Sequence, residues 1–435
     1  MKVSLFADTI DHALADRLRR ENQWARPRPL GLAPSIGLGD RLGVATAGHI
    51  RAMREHAPAG VRAVFAQQSV RELARTHQTH QEVLDSATLA VARADYREPW
   101  GADADHLKTE DDVRAAAAAG FTFFTADPSA FVNDRAAAMT GRELDGAVEQ
   151  ALADETPAVR DRWLKEPLDA RIAALAGGDD PLERRRAIAT YARAVAHTER
   201  LYRAAQAAYR GPGHFDFEMS VDETATPTTP IAHALIVREL LLRGVRLTSL
   251  AIRFVGDFQK AINYIGDKAA FRAHLKKHAA LARALGHYKI SVHSGSDKFA
   301  IYPILAEEAP GLIHLKTAGT SFLEALRLVA RHDPPGMRRI VALALERFAE
   351  DTATYHTTTN VARVLRPESV ADADLETVYL GQDDARQVLH ITYGSCLACP
   401  ETANLLKTTL LAHPDEYAGV LSAHFAKHLT AFPAT

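Results

Sequence analysis

From residue 34 to residue 319 the chain alternates short blocks of strand-like patterning with longer stretches of helical spacing. Eight strands are predicted, at 34–42, 61–69, 96–106, 121–126, 214–221, 247–256, 288–294 and 311–317. Helical patterns at 47–56, 70–84, 111–119, 230–242 and 267–285 fall between most of them. Strands that alternate with helices in this way form a parallel sheet, so the predicted fold is α/β, a (β/α)8 (TIM) barrel. The stretch 214–221 carries the clearest face pattern: His214, Asp216, Glu218 and Ser220 share one side, and Phe215, Phe217 and Met219 the other. In a barrel strand the apolar side meets the surrounding helices, and the polar side enters an interior capped by a chemical site.

The pattern breaks at three places. Residues 128–210 are rich in Ala, Arg, Glu and Leu and hold no convincing strand, so they are expected to form a helical insertion after the fourth strand. Residues 1–33 form an N-terminal segment, and residues 320–435 a C-terminal helical extension packing on the barrel. That extension has helical patterns at 321–331 and 337–349 and a strand-like run, Val388-Leu-His-Ile-Thr-Tyr393.

With 435 residues, 47% of them hydrophobic, the chain can bury a large core. A formal net charge of -2 argues against a nucleic-acid partner, and the arginines at 184–186 read as a solvated helix face. No apolar leader opens the sequence and no run reaches the ~18 apolar residues of a membrane span, which places the protein in the cytoplasm with no membrane partner. The two cysteines, Cys396 and Cys399, lack the second pair of a four-thiolate zinc site and read as a reduced structural pair.

Chemistry in such a barrel collects at the C-terminal ends of the strands. The polar residues there include Asp40, Arg41, Gln67, Asp103, Asp105, His106, Lys108, Glu218, Asp222, Glu223, Arg253, His293, Lys298, His314 and Lys316. His106, Glu218 and His293 end three separate strands, and two imidazoles with a carboxylate suit a divalent metal cation; zinc, manganese, nickel and cobalt all accept that donor set. A charge at Glu218 needs compensation, from such a cation or from a partner such as Lys316.

Asp105-His106 and His293-Ser-Gly-Ser resemble the Asp-His and His-Gly-Gly-Ser elements of class II metal-dependent ketose aldolases. More specifically, Pro34-Ser-Ile-Gly-Leu-Gly-Asp40, Gly101-Ala-Asp-Ala-Asp-His106, Asp216-Phe-Glu218, Val292-His-Ser-Gly-Ser-Asp-Lys298 and His314-Leu-Lys-Thr-Ala-Gly319 together resemble the tagaturonate/fructuronate epimerase family. The resemblance implies His106 and His293 as metal ligands, with Glu218 or His314 as the third, because Ala251-Ile-Arg-Phe-Val-Gly256 places no histidine on the sixth strand. It implies Asp105 as a proton-transfer carboxylate. Glu218 and Asp222 are further catalytic candidates, and Glu223 or Tyr393 could act on the opposite face. Lys298, Arg253 and Lys108 are the candidate grips on a substrate carboxylate, with Asp40 and Lys316 also expected to bind substrate.

The implied reaction interconverts two keto-hexuronates that differ at a carbon beyond the ketone's α-carbon. Enolisation does not reach that carbon, whereas retro-aldol cleavage, rotation of the aldehyde and re-addition invert it. The expected partner is this small sugar acid, with a homo-oligomer left open. A class II-like sugar aldolase is an alternative, as are an NAD-dependent epimerase and a non-catalytic sugar-acid sensor. The glycines of Gly37-Leu-Gly39-Asp-Arg-Leu-Gly43 approach a dinucleotide motif, but the next strand ends in Gln67-Gln68-Ser69 without the acidic residue that holds a ribose, so no NAD is expected.

Overall fold

A computed structural model describes residues 4–433. Eight parallel strands close in chain order: β1 (Ser35–Gly37), β2 (Arg62–Ser69), β3 (Trp100–Leu107), β4 (Phe123–Ala126), β5 (Asp216–Ser220), β6 (Ser249–Ala251), β7 (Lys289–Val292) and β8 (Ile313–Lys316). β8 returns to β1 with Ser35 opposite His314, so the protein is a (β/α)8 barrel.

The face pattern is realised from Asp216 to Ser220, while His214, read as part of the inward face, precedes the strand and is exposed. Phe217 and Met219 are buried outside the barrel wall, where Phe217 meets Tyr202 edge-on at 5.0 Å between ring centroids. Burial of each such side chain contributes about 1.5–3 kcal/mol. Inward, Asp216 lies at the bottom, where it accepts the backbone N–H groups of Leu30 (2.7 Å) and Gly31 (3.0 Å) and ties the N-terminal segment to the barrel floor. The interior is a packed charge network, with Lys289 and Lys316 among Asp103, Asp105, Asp216 and Glu218. Lys289 Nζ donates to Ala33 O and to Ser35 Oγ, both at 3.1 Å.

Between β4 and β5 the chain forms helices Gly141–Ala151, Pro157–Lys165 and Ala170–Ala176, then the long helix Pro181–Ala208. Thr156, Asp169 and Asp180 cap three of these with side-chain oxygens. The helical pattern at 70–84 is two helices, Val70–Thr76 and His80–Arg93, because His77 adopts a left-handed conformation and Thr79 starts a new capping box. After β8 come helices Thr320–His332 and Pro334–Asp351 and a further group of helices ending with Pro414–Leu429. The strand-like run at 388–393 is helical, spanning the end of Asp383–Ile391 and the start of Tyr393–Ala398. Its alternation is too short to separate a strand from a helix buried on most sides. No helix among the described residues is long and apolar enough to cross a membrane.

Candidate active site

Adjacent residues on a regular strand point to opposite sides, so Asp105 and His106 need an irregularity to share one site. β3 provides it: its register against β4 shifts between Ala104 and Leu107, and His106 takes a φ of 54°. A left-handed conformation is uncommon for a histidine and turns its ring toward the barrel mouth. His293 follows the last residue of β7, and Ser294 behind it also has positive φ. The His106 and His293 rings meet edge-on at 5.1 Å between centroids. One ligand atom each from Asp105, His106 and His293 lies within 4.8 Å of the others, so these three can hold a metal ion.

Carboxylates surround the pair. His293 Nε2 lies 2.6 Å from Glu218 Oε1, and its Nδ1 lies 3.1 Å from Asp222 Oδ1 without hydrogen-bond alignment. His106 Nδ1 stands 3.5 Å from Asp127 Oδ2, again unaligned. Burial opposes charging of both rings, but Asp222 and Glu218 hold His293 up at about 10, and Asp105 with Asp127 holds His106 up at about 8. Glu218 also accepts from Ser249 and lies 3.0 Å from Lys316 Nζ.

Lys316 Nζ is the hub of the interior, 2.9 Å from Asp103, 2.7 Å from Asp105 and 2.8 Å from Thr125 Oγ1. These carboxylates outweigh burial and keep its pKa well above the usual lysine value. Burial also opposes ionisation of Asp105, yet His106 and Lys316 lower it to about 2, while Asp103, the more desolvated of the two, rises to about 6.

Of the other sequence candidates, Lys108 shares Asp127 with His106, and the rest are engaged elsewhere. His314 is deeper in the barrel, with Nδ1 2.8 Å from Ser35 Oγ, and burial holds its pKa well below the usual histidine value. Lys298 is fully buried and spends its ammonium on three carbonyls: Gln259 (2.7 Å), Ile262 (2.6 Å) and Ser296 (3.1 Å). Asp40 accepts the backbone N–H groups of Leu42, Gly43 and Ala45. Lys108 sits beside Asp127 at 3.5 Å with its side chain about half exposed, and Arg253 faces Asp257 at 3.4 Å in an outer cleft. Tyr393 is buried beneath Arg41, whose guanidinium lies 3.8 Å above the ring. In the 37–43 segment, a Cβ on Gly39 would fall 2.5 Å from Ala318 Cα, so that glycine serves close packing of two barrel loops.

A cavity open to solvent lies over the imidazoles. Arg41, Arg71, Lys260, Tyr355 and His390 also line it. Sequence reasoning set Arg41 among the strand-end polar residues without giving it a role, and missed the other four as site residues. Arg41 had a signal, next to Asp40 at the end of β1, whereas Tyr355 and His390 come from the extension and carried none.

The tagaturonate epimerase family profile matches residues 3–432. The chain is 39% identical over 432 residues to the tagaturonate/fructuronate epimerase of Thermotoga maritima, covering 98% of this chain and 86% of that protein. The native crystal structure of the fructuronate-tagaturonate epimerase from Cohnella laeviribosi superposes with a TM-score of 0.90 at 38% identity, over 97% of this chain and 86% of that one. A form of that enzyme complexed with one glycerol gives a TM-score of 0.89 at 38% identity, with the same coverage. A full-length match in sequence and in three dimensions places the chain in the tagaturonate epimerase family and makes it an isomerase.

Proposed function

We propose that the protein interconverts D-tagaturonate and D-fructuronate by retro-aldol cleavage and re-addition, with a divalent cation held by His106, His293 and Asp105. The observation that carries the reading is the convergence of those three ligand atoms at the barrel mouth, in a chain of this family. The donor set fits a cation. Nδ1 of both imidazoles is buried with no hydrogen-bond partner among the described residues. Glu218 on His293 Nε2 orients the ring in the manner of a carboxylate behind a metal-bound histidine. The interior carries an excess of carboxylates, which charged imidazoles balance when no cation is bound and a cation balances when the rings are neutral.

When bound, the cation supplies Lewis-acid polarisation of the substrate ketone. Asp105 is taken up as a ligand, held in place by Lys316 and by Gln67 Nε2 at 3.2 Å. Proton transfer therefore falls to Asp222, whose Oδ1 accepts Ser220 Oγ at 2.5 Å beside His293. Its carboxylate takes the proton of the β-hydroxyl; the Cα–Cβ bond breaks, its electron pair passes into the ketone, and the β-carbon becomes an aldehyde. After the aldehyde turns, the bond re-forms on its other face and the new alkoxide recovers a proton. Glu223, which lines both the cavity over the imidazoles and the adjoining cleft that Asp222 lines, is the second carboxylate available for that return. Lys316 keeps Asp105 and Glu218 ionised and in place.

The test joins metal analysis of the purified protein to an NMR assay of keto-uronate epimerisation. Chelation should abolish turnover and re-addition of one divalent metal restore it; full activity after exhaustive chelation sinks the metal reading. Solvent deuterium at the inverted carbon of the product would sink the retro-aldol route, because that C–H bond is never broken in it.

A further inference from the structure

The acid end of such a substrate needs a partner, and the lysine that sequence reasoning favoured, Lys298, is spent on carbonyls. Among the other side chains lining the cavity that holds His106 and His293, Arg41, Lys260 and His390 have donors that are not all used.

Arg41 is built to present one edge. Its Nε donates to Glu72 Oε1 at 2.8 Å, and Nη2 lies 2.7 Å from the same oxygen. Glu72 is itself held by the capping box of helix Val70–Thr76, with Oε2 accepting the Ser69 N–H at 3.2 Å. The Tyr393 ring packs against the guanidinium face. Nη1 is left buried with no hydrogen-bond partner among the described residues. A buried charged donor without an acceptor is costly, and a ligand is the economical way to satisfy it.

His390 comes from helix Asp383–Ile391 of the extension and is 2% exposed; neither ring nitrogen has a hydrogen-bond partner among the described residues. Gly319 makes room for the ring, since a Cβ there would fall 1.9 Å from His390 Cε1. Lys260 Nζ donates to Ser294 Oγ at 2.6 Å and makes no ion pair among the described residues, which leaves ammonium protons available. Glu72 offsets Arg41, so Lys260 leaves this end of the cavity positive. Burial and the nearby charges of Arg41 and Lys260 keep His390 neutral, with one donor and one acceptor.

We infer that Arg41, Lys260 and His390 form a carboxylate subsite that binds the acid end of an open-chain six-carbon sugar acid. The inference rests on the keto-uronate reading and adds the residues that select the acid. Arg41 Nη1, Lys260 Nζ and one His390 N–H supply charge-assisted or neutral donors to two carboxylate oxygens. A hydroxymethyl group in the same place satisfies fewer of them and leaves the ammonium uncompensated.

Calorimetric titration of the metal-loaded protein with D-gluconate and D-sorbitol tests this, because the two ligands differ only in carboxylate against hydroxymethyl. Lys260→Met, His390→Leu and Arg41→Lys should each lower the ratio of gluconate to sorbitol affinity by about tenfold or more, the loss of one charge-assisted contact. Lys260→Met and His390→Leu strand no buried carboxylate, so they decide the matter if Arg41→Lys fails to fold. Equal losses for both ligands, or no gluconate binding by the wild-type protein at millimolar concentrations, overturn the subsite. Tighter binding of inorganic phosphate than of gluconate overturns it in favour of a phosphorylated sugar. If the wild-type protein fails to epimerise keto-uronates yet its acid selectivity is lost in the variants, the function reading fails while the subsite stands.

Discussion

Loading the metal-free protein with a divalent cation should release on the order of two protons per ion at pH 7, because an imidazole must be neutral to act as a ligand. The structure sets that figure. Without a cation, Asp222 and Glu218 hold His293 at about 10 and Asp105 with Asp127 holds His106 at about 8, so both rings are charged at pH 7. The apparent association constant should therefore rise by roughly 100-fold per pH unit near pH 7 and by roughly tenfold per unit once His106 has lost its proton above pH 8. Calorimetry in two non-chelating buffers with different heats of protonation reads the proton count directly, and titrations between pH 6.5 and 9 give the slope. Heats that do not depend on the buffer, or an affinity flat across that range, would refute the assignment of His106 and His293 as ligands. The same shifts govern stability. In the unfolded chain both histidines titrate near 6.5, so the metal-free fold binds the extra protons; its stabilisation is complete below pH 6.5 and is lost as pH rises through about 8 and about 10. The melting temperature of the chelated protein should fall over that interval, and occupancy by a cation should flatten the fall.

Asp105→Asn should reduce metal affinity tenfold or more by plasma-source mass spectrometry of dialysed protein; full metal content with slow turnover would return Asp105 to the proton-transfer role. Asp222→Asn should keep its metal and lose ~10²–10⁴-fold in turnover, the usual contribution of a positioned acid or base, and near-normal turnover would move that role elsewhere. Lys298→Met should lower stability by about 1–3 kcal/mol in urea titrations, because it leaves buried carbonyls without a donor. A selective loss of keto-uronate over neutral ketohexose in that variant would restore Lys298 as the anion grip. Gly319→Ala should cost about 1–3 kcal/mol by overpacking against His390 and weaken gluconate binding; unchanged stability would show that the ring has another place to go.

What the amino-acid sequence determines here is the part that depends on local periodicity. Eight strand-like blocks, most of them separated by helical spacing, point to an α/β barrel, because each strand must bury an apolar outer face and each helix must cover one. The same logic places Asp105, His106 and His293 toward strand ends, where a barrel keeps its polar residues, whereas Glu218, read as a strand end, stands in the middle of β5. Even the conflict between Asp105 and His106 is visible in the sequence, as two neighbours on one strand, but its resolution by a register shift and a left-handed His106 is not. The direction of a long side chain is decided by what surrounds it, and that is tertiary. Lys298 stands five residues after His293 and turns away from the mouth, because three carbonyls brought together by the fold take its ammonium. Lys316 becomes the interior hub only when β3, β4 and β5 set Asp103, Asp105, Thr125 and Glu218 around it. The cavity wall shows the same limit. His390 lies nearly a hundred residues beyond His293 in a stretch whose alternation mimics a strand, and only the packing of the C-terminal helices onto the barrel brings its unpartnered ring to the cavity that also holds Arg41.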